Sequence, residues 1–154
     1  MPDLRRIVLE GDGLTRLSPL LEADRAQAVA DLLVENCFRP TGRPDAQLAL
    51  RLSIQEGRLV FDIRDEHDAP LIAHALALGP FRDLIGDYQM LVESHIAAVA
   101  EGREARIQAI DMGRRGLHNE GATLLRQRLA GKVELDFETA RRLFTLVCVL
   151  RTRL

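Results

Sequence analysis

The stretch QLALRLSIQEGRLVFDIR, residues 47–64, decides the fold. Leucine and isoleucine alternate with polar or small residues from 48 to 54, and Leu59, Phe61 and Ile63 continue the alternation after Glu56-Gly57. A period of two places every second side chain on one face of a strand, and a glycine-bearing turn joins two such strands. The pattern therefore predicts an antiparallel hairpin with one buried face.

The same sheet extends on both sides of this hairpin. A polar turn over 65–70 leads to a third strand at 71–78, and apolar residues in 4–10 predict an N-terminal strand. Because the connections within 47–78 are short, we expect a meander of neighbouring antiparallel strands. A further short strand is predicted at 131–135.

Several segments instead have the three-four spacing of helices. Ser18-Pro19 is a helix start that leads to about residue 36, and 80–101 carries the strongest apolar stripe, which we expect to pack lengthwise on the sheet. Residues 103–130 form either one helix or a helix broken at its glycines, and Asp136 caps the last helix. The predicted core includes Phe61, Leu84 and Leu91.

These elements predict an α+β fold in a single domain, residues 1–154, with three to four helices packed on an antiparallel sheet. The chain has 154 residues, which is close to the usual size of one domain. Hydrophobic residues make up 47% and charged residues 29%, too apolar a mixture for a disordered chain.

Charge is unevenly distributed along the chain. The net charge is −2, but residues 1–102 carry 10 basic and 17 acidic side chains, whereas 103–154 carry 11 basic and 6 acidic ones. The basic third can face an acidic protein partner, a phosphate-bearing ligand or the acidic part of the same chain. A single Tyr and no Trp offer few stacking platforms for nucleic acid, so we do not expect it as a partner.

Cysteine usage and hydropathy predict a cytoplasmic protein that does not enter a membrane. Cys37 and Cys148 lie far apart among apolar neighbours, which is typical of reduced thiols. The N-terminus lacks a signal-peptide core, and the uncharged run 69–81 is too short to span a bilayer.

The segment AIDMGRRGLHNEGA, residues 109–122, has an unusual composition for a helix. Gly113, Gly116 and Gly121 each cost about 1 kcal/mol relative to alanine in a helix interior. Such glycines indicate a close helix crossing, a break in the helix, or a ligand that approaches the backbone.

The same segment supplies the candidate site, which consists of Asp111, Arg114, Arg115, His118, Asn119 and Glu120. Arg114 falls within the apolar stripe, so its guanidinium must be paired. One hypothesis is an anion site in which Arg114 and Arg115 bind, His118 titrates near neutral pH, and Asp111 or Glu120 orients it. The other is an internal salt-bridge network at a helix crossing.

Other chemistry has little support in the sequence. The four histidines and two cysteines do not have metal-ligand spacing, so we expect no metal and no cofactor. His74 alternates with apolar residues and reads as a hydrogen-bonded sheet histidine. Cys148 lies in an apolar stretch that raises the pKa of a thiol and leaves it unreactive.

Four segments resemble a small bacterial family known only by a placeholder name for uncharacterised proteins. They are AIDMGRRGLHNEGA (109–122), GKVELDFETARRLFTLVCVL (131–150), LRLSIQEGRLVFDIRDE (50–66) and PFRDLIGDYQMLVES (80–94). The resemblance extends from about residue 20 to residue 150. It implies a cytoplasmic bacterial protein of one domain, and it implies no activity, ligand or catalytic residue.

Two hypotheses of function follow. The first is a non-catalytic interaction or regulatory module that forms a homo-oligomer, with a dimer as the default. Its motivation is the last helix, where Leu143, Val147 and Leu150 lie beside Phe144 and Cys148. The alternative is a binding protein or enzyme for an anionic small molecule at 111–120.

Overall fold

The computed structural model describes residues 2–11, 14, 17–42 and 47–151. The elements follow the order β1 (Leu4–Glu10), α1 (Pro19–Val34), β2 (Phe38–Pro40), β3 (Leu48–Gln55), β4 (Arg58–Asp65), β5 (Pro70–Ala77), α2 (Arg82–Ala100), α3 (Glu104–Leu129), β6 (Val133–Leu135) and α4 (Phe137–Arg151). A short 3-10 turn over Gly79–Phe81 leads into α2. The predicted α+β class is confirmed.

The main sheet has the strand order β1-β3-β4-β5. β3 and β4 form the predicted hairpin, with Gln55 opposite Arg58 next to the turn, and β5 pairs antiparallel with β4. β1 differs from its neighbours because it runs parallel to β3. The helix α1 connects these two strands, and a crossover of this length is what a parallel pair requires.

A second, two-stranded sheet joins β2 to β6 in antiparallel register. The strand at 131–135 is therefore confirmed as β6, but its partner β2 was not predicted. With three residues, Phe-Arg-Pro, β2 is too short to show an alternation, and Pro40 is typical of a loop. Proline is tolerated at such a position because the strand lies at an edge.

α4 occupies the centre of the helical layer, where it contacts β1 and β3 on the sheet and α1 and α3 on its flanks. Nine of its residues are buried. The expectation that α2 packs lengthwise on the sheet is wrong, since α2 packs mainly against α3. The largely apolar run 143–149 of α4 is buried throughout and takes the interior position, which leaves α2, with one apolar stripe, further out.

The stripe of α2 is buried over only part of its length. Tyr88 and Val92 are inaccessible to solvent, as is the predicted core residue Phe61. Leu84 is half-buried and packs against the core, whereas Leu91 is half-buried outside it, so the core placement is wrong for Leu91. Further along the stripe, Ile96 and Val99 are 43% and 55% exposed. Most positions from 93 to 109 are exposed, although Ala98 is buried, so this end of the α2–α3 hairpin lies largely outside the core.

Both predicted helix caps are present. The Ser18 hydroxyl accepts a hydrogen bond from the Leu21 N–H, and the Asp136 carboxylate accepts one from the Thr139 N–H at 3.1 Å. These caps satisfy backbone donors that the first turn of a helix leaves free. Among the helices of the described ranges, none is both long and apolar enough to cross a membrane.

Candidate functional site

α3 carries the segment 109–122 as one unbroken helix of 26 residues. A Cβ atom at Gly121 would lie 2.1 Å from Cδ2 of Phe144, so this glycine permits the close approach of α3 and α4. At Gly113 a Cβ atom would make ordinary contact with Leu91, at 3.6 Å. Nothing in the structure explains Gly116, which faces open space. Of the three explanations for the glycines, the close crossing holds at Gly121, and the break is excluded.

Arg114 joins α3 to α1. Its Nε lies 3.2 Å from Oδ2 of Asp24, and its Nη1 donates to Oδ1 of Asp111 at 2.7 Å. The side chains of Arg114 and Asp24 are only 18% and 12% exposed. The prediction that Arg114 is mostly buried and paired with a carboxylate is confirmed, with one local and one distant partner.

Asp24 also binds α2. The Tyr88 hydroxyl donates a hydrogen bond to the same Oδ2 of Asp24. Burial raises the pKa of Asp24, while the hydrogen bond from Tyr88 and the charge of Arg114 oppose that rise. Burial and the adjacent Asp24 also raise the pKa of Tyr88, so the phenol keeps its proton and remains a donor.

His118 completes this group, which we term the Asp24 cluster (Asp24, Tyr88, Asp111, Arg114 and His118). Its ring packs against the Tyr88 ring with centroids 5.4 Å apart, and the residue is 6% exposed. Burial, and after it the charges of Arg114 and Arg141, lower the pKa of His118 to about 4. The expected titration near neutral pH is therefore wrong, because a buried imidazole beside cations stays neutral.

The remaining three predicted residues point elsewhere. Arg115, Asn119 and Glu120 are exposed on α3. The Nε2 atom of His118 is buried and has no hydrogen-bond partner among the described residues, so neither Asp111 nor Glu120 orients the ring through that atom. The structure thus brings together Asp111, Arg114 and His118 but not the other half of the predicted site.

Two members of the Asp24 cluster were missed by the sequence argument. Tyr88 lies within the predicted apolar stripe over 80–101, which gives no sign of its hydroxyl contact, and Asp24 belongs to no motif. A signal for Asp24 does exist, because it lies three residues after Leu21 and four before Ala28, both of which are buried on α1. An acidic residue on an inward helix face needs a partner, just as Arg114 does.

The cluster is closed rather than pocket-like. Asp111 is its most accessible member, with a side chain 44% exposed. Cys148 on α4 is fully buried, and burial together with the charge of Asp24 raises the pKa of its thiol well above the usual value. Within the cluster Tyr88 therefore stays protonated and Arg114 neutralises the charge of Asp24. Cys148 stays a thiol and adds no nucleophile.

The remaining candidates are the possible metal ligands and His74 on β5. Within the part of the chain that the structure describes, no three His, Cys, Asp or Glu side chains are placed to hold a metal ion. His74 was expected to be hydrogen-bonded in the sheet, yet its Nε2 is buried without a partner among the described residues, so that expectation is wrong. Its place on β5 leaves the ring at the edge of the sheet, where fewer groups can reach it.

A separate open cleft of about 630 Å³ lies where the carboxyl-terminal ends of β1, β3 and β5 meet α2 and α4. Glu10, Glu56, Arg82 and Arg151 are the charged residues that line it. None of the six predicted site residues is among its lining residues. The candidate site on α3 and this cleft are therefore different places on the molecule.

Comparison with known proteins gives one consistent result. The model of an uncharacterised protein family, UPF0262, matches residues 1–153. A UPF0262 protein of Granulibacter bethesdensis is 64% identical over 98% of this chain and 90% of its own length. One of Acidiphilium cryptum is 64% identical over 97% and 93%, and one of Maricaulis maris 51% identical over 96% and 92%. No solved structure matches. The chain belongs to the UPF0262 family.

Proposed function

We propose that this protein is a non-catalytic interaction module that self-associates, with a homodimer as its working form. The observation that carries the proposal is the internal use of Arg114. Its guanidinium already binds the carboxylates of Asp24 and Asp111. The bond to Asp24 ties α1 to α3, so the guanidinium at the centre of the candidate site acts to hold two helices together.

Self-association has support from apolar surface that a single chain leaves uncovered. Ile96 and Val99 continue a stripe that is buried at Val92, and Met90 and Met112 are 65% and 74% exposed. Exposed apolar side chains of this kind are candidates for a surface that a partner covers. The original motivation, α4, does not support dimerisation, because the chain itself buries Leu143, Phe144, Val147 and Cys148.

The test is the mass of the protein in solution. Size-exclusion chromatography with light scattering, at concentrations up to tens of micromolar, should give twice the chain mass of 17.2 kDa. The dimer should dissociate on dilution, because association depends on concentration. A mass of one chain at every concentration would contradict the proposal.

The alternative, an anionic ligand at 111–120, stays a prediction. Arg115 is the exposed cation that such a ligand would meet, whereas Arg114 would first have to release its carboxylates. Millimolar phosphate or nucleotide should then raise the melting temperature of the wild type and not that of Arg115→Ala. No rise in the wild type would favour the interaction module.

The proposal places the module in the cytoplasm. Neither Cys37 nor Cys148, both within the described residues, forms a disulfide. Oxidising compartments favour disulfides in small proteins, so two cysteines outside a disulfide support a reducing location. Fractionation of a bacterium that makes the protein should recover it with the cytoplasmic marker enzymes, and recovery with periplasmic proteins would contradict this.

A further inference from the structure

The two edges of the main sheet differ sharply. The edge strand β1 carries Arg5, Arg6 and Glu10, and the Asn36 side chain pairs with both backbone groups of Leu4, accepting from its N–H at 2.8 Å and donating to its carbonyl at 3.0 Å. The edge strand β5 carries no charged residue from Pro70 to Ala77. Proteins normally protect exposed edges with charges, prolines, bulges or covering groups. Pro70 and a register irregularity lie at the start of β5, so the unprotected part of this edge is residues 72–77.

The turn between β3 and β4 shows which backbone groups of β5 are free. Glu56 and Gly57 both have positive φ, as in a two-residue hairpin turn, so the flanking pair, Gln55 and Arg58, is hydrogen-bonded. Successive residues of a strand direct their N–H and C=O to opposite sides. The odd-numbered residues of β4 therefore bond to β5, and their partners there are Ile72, His74 and Leu76.

Ala73, Ala75 and Ala77 consequently direct their N–H and C=O groups away from β4. All three are exposed, and their methyl side chains leave the backbone accessible. Among the described residues, no hydrogen bond reaches these groups from the open side. Next to them Ile72 is 40% exposed on the helix-facing side of the strand.

From this edge we infer that β5 pairs antiparallel with β5 of a second copy about a two-fold axis, which joins two four-stranded sheets into one sheet of eight strands. The inference rests on the proposed self-association and assigns its contact to the β5 edge rather than to the exposed apolar side chains of α2 and α3. The second copy fits because the same three alanines face each other and no like charges are opposed. The neighbouring strand would also cover Ile72.

The sharpest test is the substitution Ala75→Pro. Proline removes an N–H that the sheet of one chain does not use, so the fold should survive, as it does for prolines on edge strands. Ala75→Thr is the matched control because it keeps the N–H. We expect dimers for the wild type and Ala75→Thr, and loss of the dimer for Ala75→Pro with an unchanged circular dichroism spectrum. A dimeric Ala75→Pro would overturn the inference and leave self-association intact, whereas a monomeric wild type would overturn both.

Single cysteines give a second test that does not depend on proline being tolerated. When the three alanines of two copies face each other, Ala73 lies opposite Ala77 and the two-fold axis passes through Ala75. In a Cys37→Ser background, Ala75→Cys should therefore form a disulfide dimer on oxidation, and Ala73→Cys and His74→Cys should not, because a disulfide needs Cα atoms within about 7 Å. Failure of Ala75→Cys to cross-link, or equal cross-linking by all three variants, would overturn the pairing.

Discussion

Replacing Gly121 with alanine should destabilise the protein, although alanine is the better helix former. A Cβ atom at this position would lie 2.1, 2.2 and 2.3 Å from three ring atoms of Phe144. The Phe144 ring is inaccessible to solvent and packs against Phe81 with centroids 6.1 Å apart. It therefore has little room to move, and α3 and α4 would have to separate.

The expected size follows from two opposed effects. Alanine gains about 1 kcal/mol of helix propensity over glycine. Overpacking a core costs about 1–3 kcal/mol, and contacts this short place Gly121→Ala near the upper end of that range. The net loss should be about 2 kcal/mol. Gly116→Ala is the matched control on the same helix, because its Cβ atom faces open space and only the propensity gain remains.

Urea unfolding followed by far-UV circular dichroism measures both variants at one protein concentration. The free energy of unfolding should differ between Gly121→Ala and Gly116→Ala by about 3 kcal/mol, at equal m-values. Gly113→Ala should behave like Gly116→Ala, since its new methyl group would make only ordinary contact with Leu91, at 3.6 Å. If Gly121→Ala were as stable as Gly116→Ala, the close approach of α3 and α4 would be refuted.

Three other predictions concern the cluster and the core. Arg114→Ala should lower the free energy of unfolding by about 3 kcal/mol, because it leaves a buried carboxylate unpaired, whereas Arg115→Ala should change it by less than about 0.5 kcal/mol in the same urea titration. The pKa of His118 is about 4 in the folded protein, against 6.5 for an unperturbed histidine, so between these pH values the unfolded chain binds an extra proton. Stability should therefore fall as pH drops from 6.5 towards 4, by up to about 1.4 kcal/mol per pH unit, and His118→Phe should remove that part of the slope, with an unchanged slope contradicting the assignment. Leu52→Ala, at a fully buried site, should lower the free energy of unfolding by about 2–5 kcal/mol, and Leu91→Ala, at a half-buried site, should lower it clearly less. Equal losses in urea unfolding would place Leu91 in the core after all.

The features that were predictable from the sequence are local ones. The β3–β4 hairpin follows from the alternation and from a two-residue turn, both of which lie within 18 residues of chain. The position of α2 was not predictable in the same way. A stripe on a helix shows which face is buried but not what covers it, and here α4, with its buried run 143–149, takes the place on the sheet.

In the candidate site too, the local features were predictable from the sequence and the tertiary contacts were not. Burial and pairing of Arg114 follow from its position in the stripe of α3, where an unpaired charge would be too costly. The identity of its distant partner depends on how α1 crosses α3, and 90 residues separate Asp24 from Arg114. The titration of His118 was mispredicted because the ordinary pKa of histidine applies to a solvated imidazole. In the fold this ring packs against Tyr88 and is buried away from solvent.

The uneven charge of the chain can be reinterpreted through these contacts. The basic third of the sequence includes Arg114 on α3 and Arg142 on α4, and both reach acidic residues of α1, at 3.2 Å to Asp24 and 3.9 Å to Asp31. Part of the positive charge of residues 103–154 is thus matched inside the molecule, which reduces the need for a phosphate-bearing partner. Arg115 is exposed, so an anion would have to bind there without Arg114. A single exposed guanidinium binds an anion weakly. Because Arg114 is already paired and Arg115 would bind alone, we place the function on a surface of the protein rather than in the Asp24 cluster.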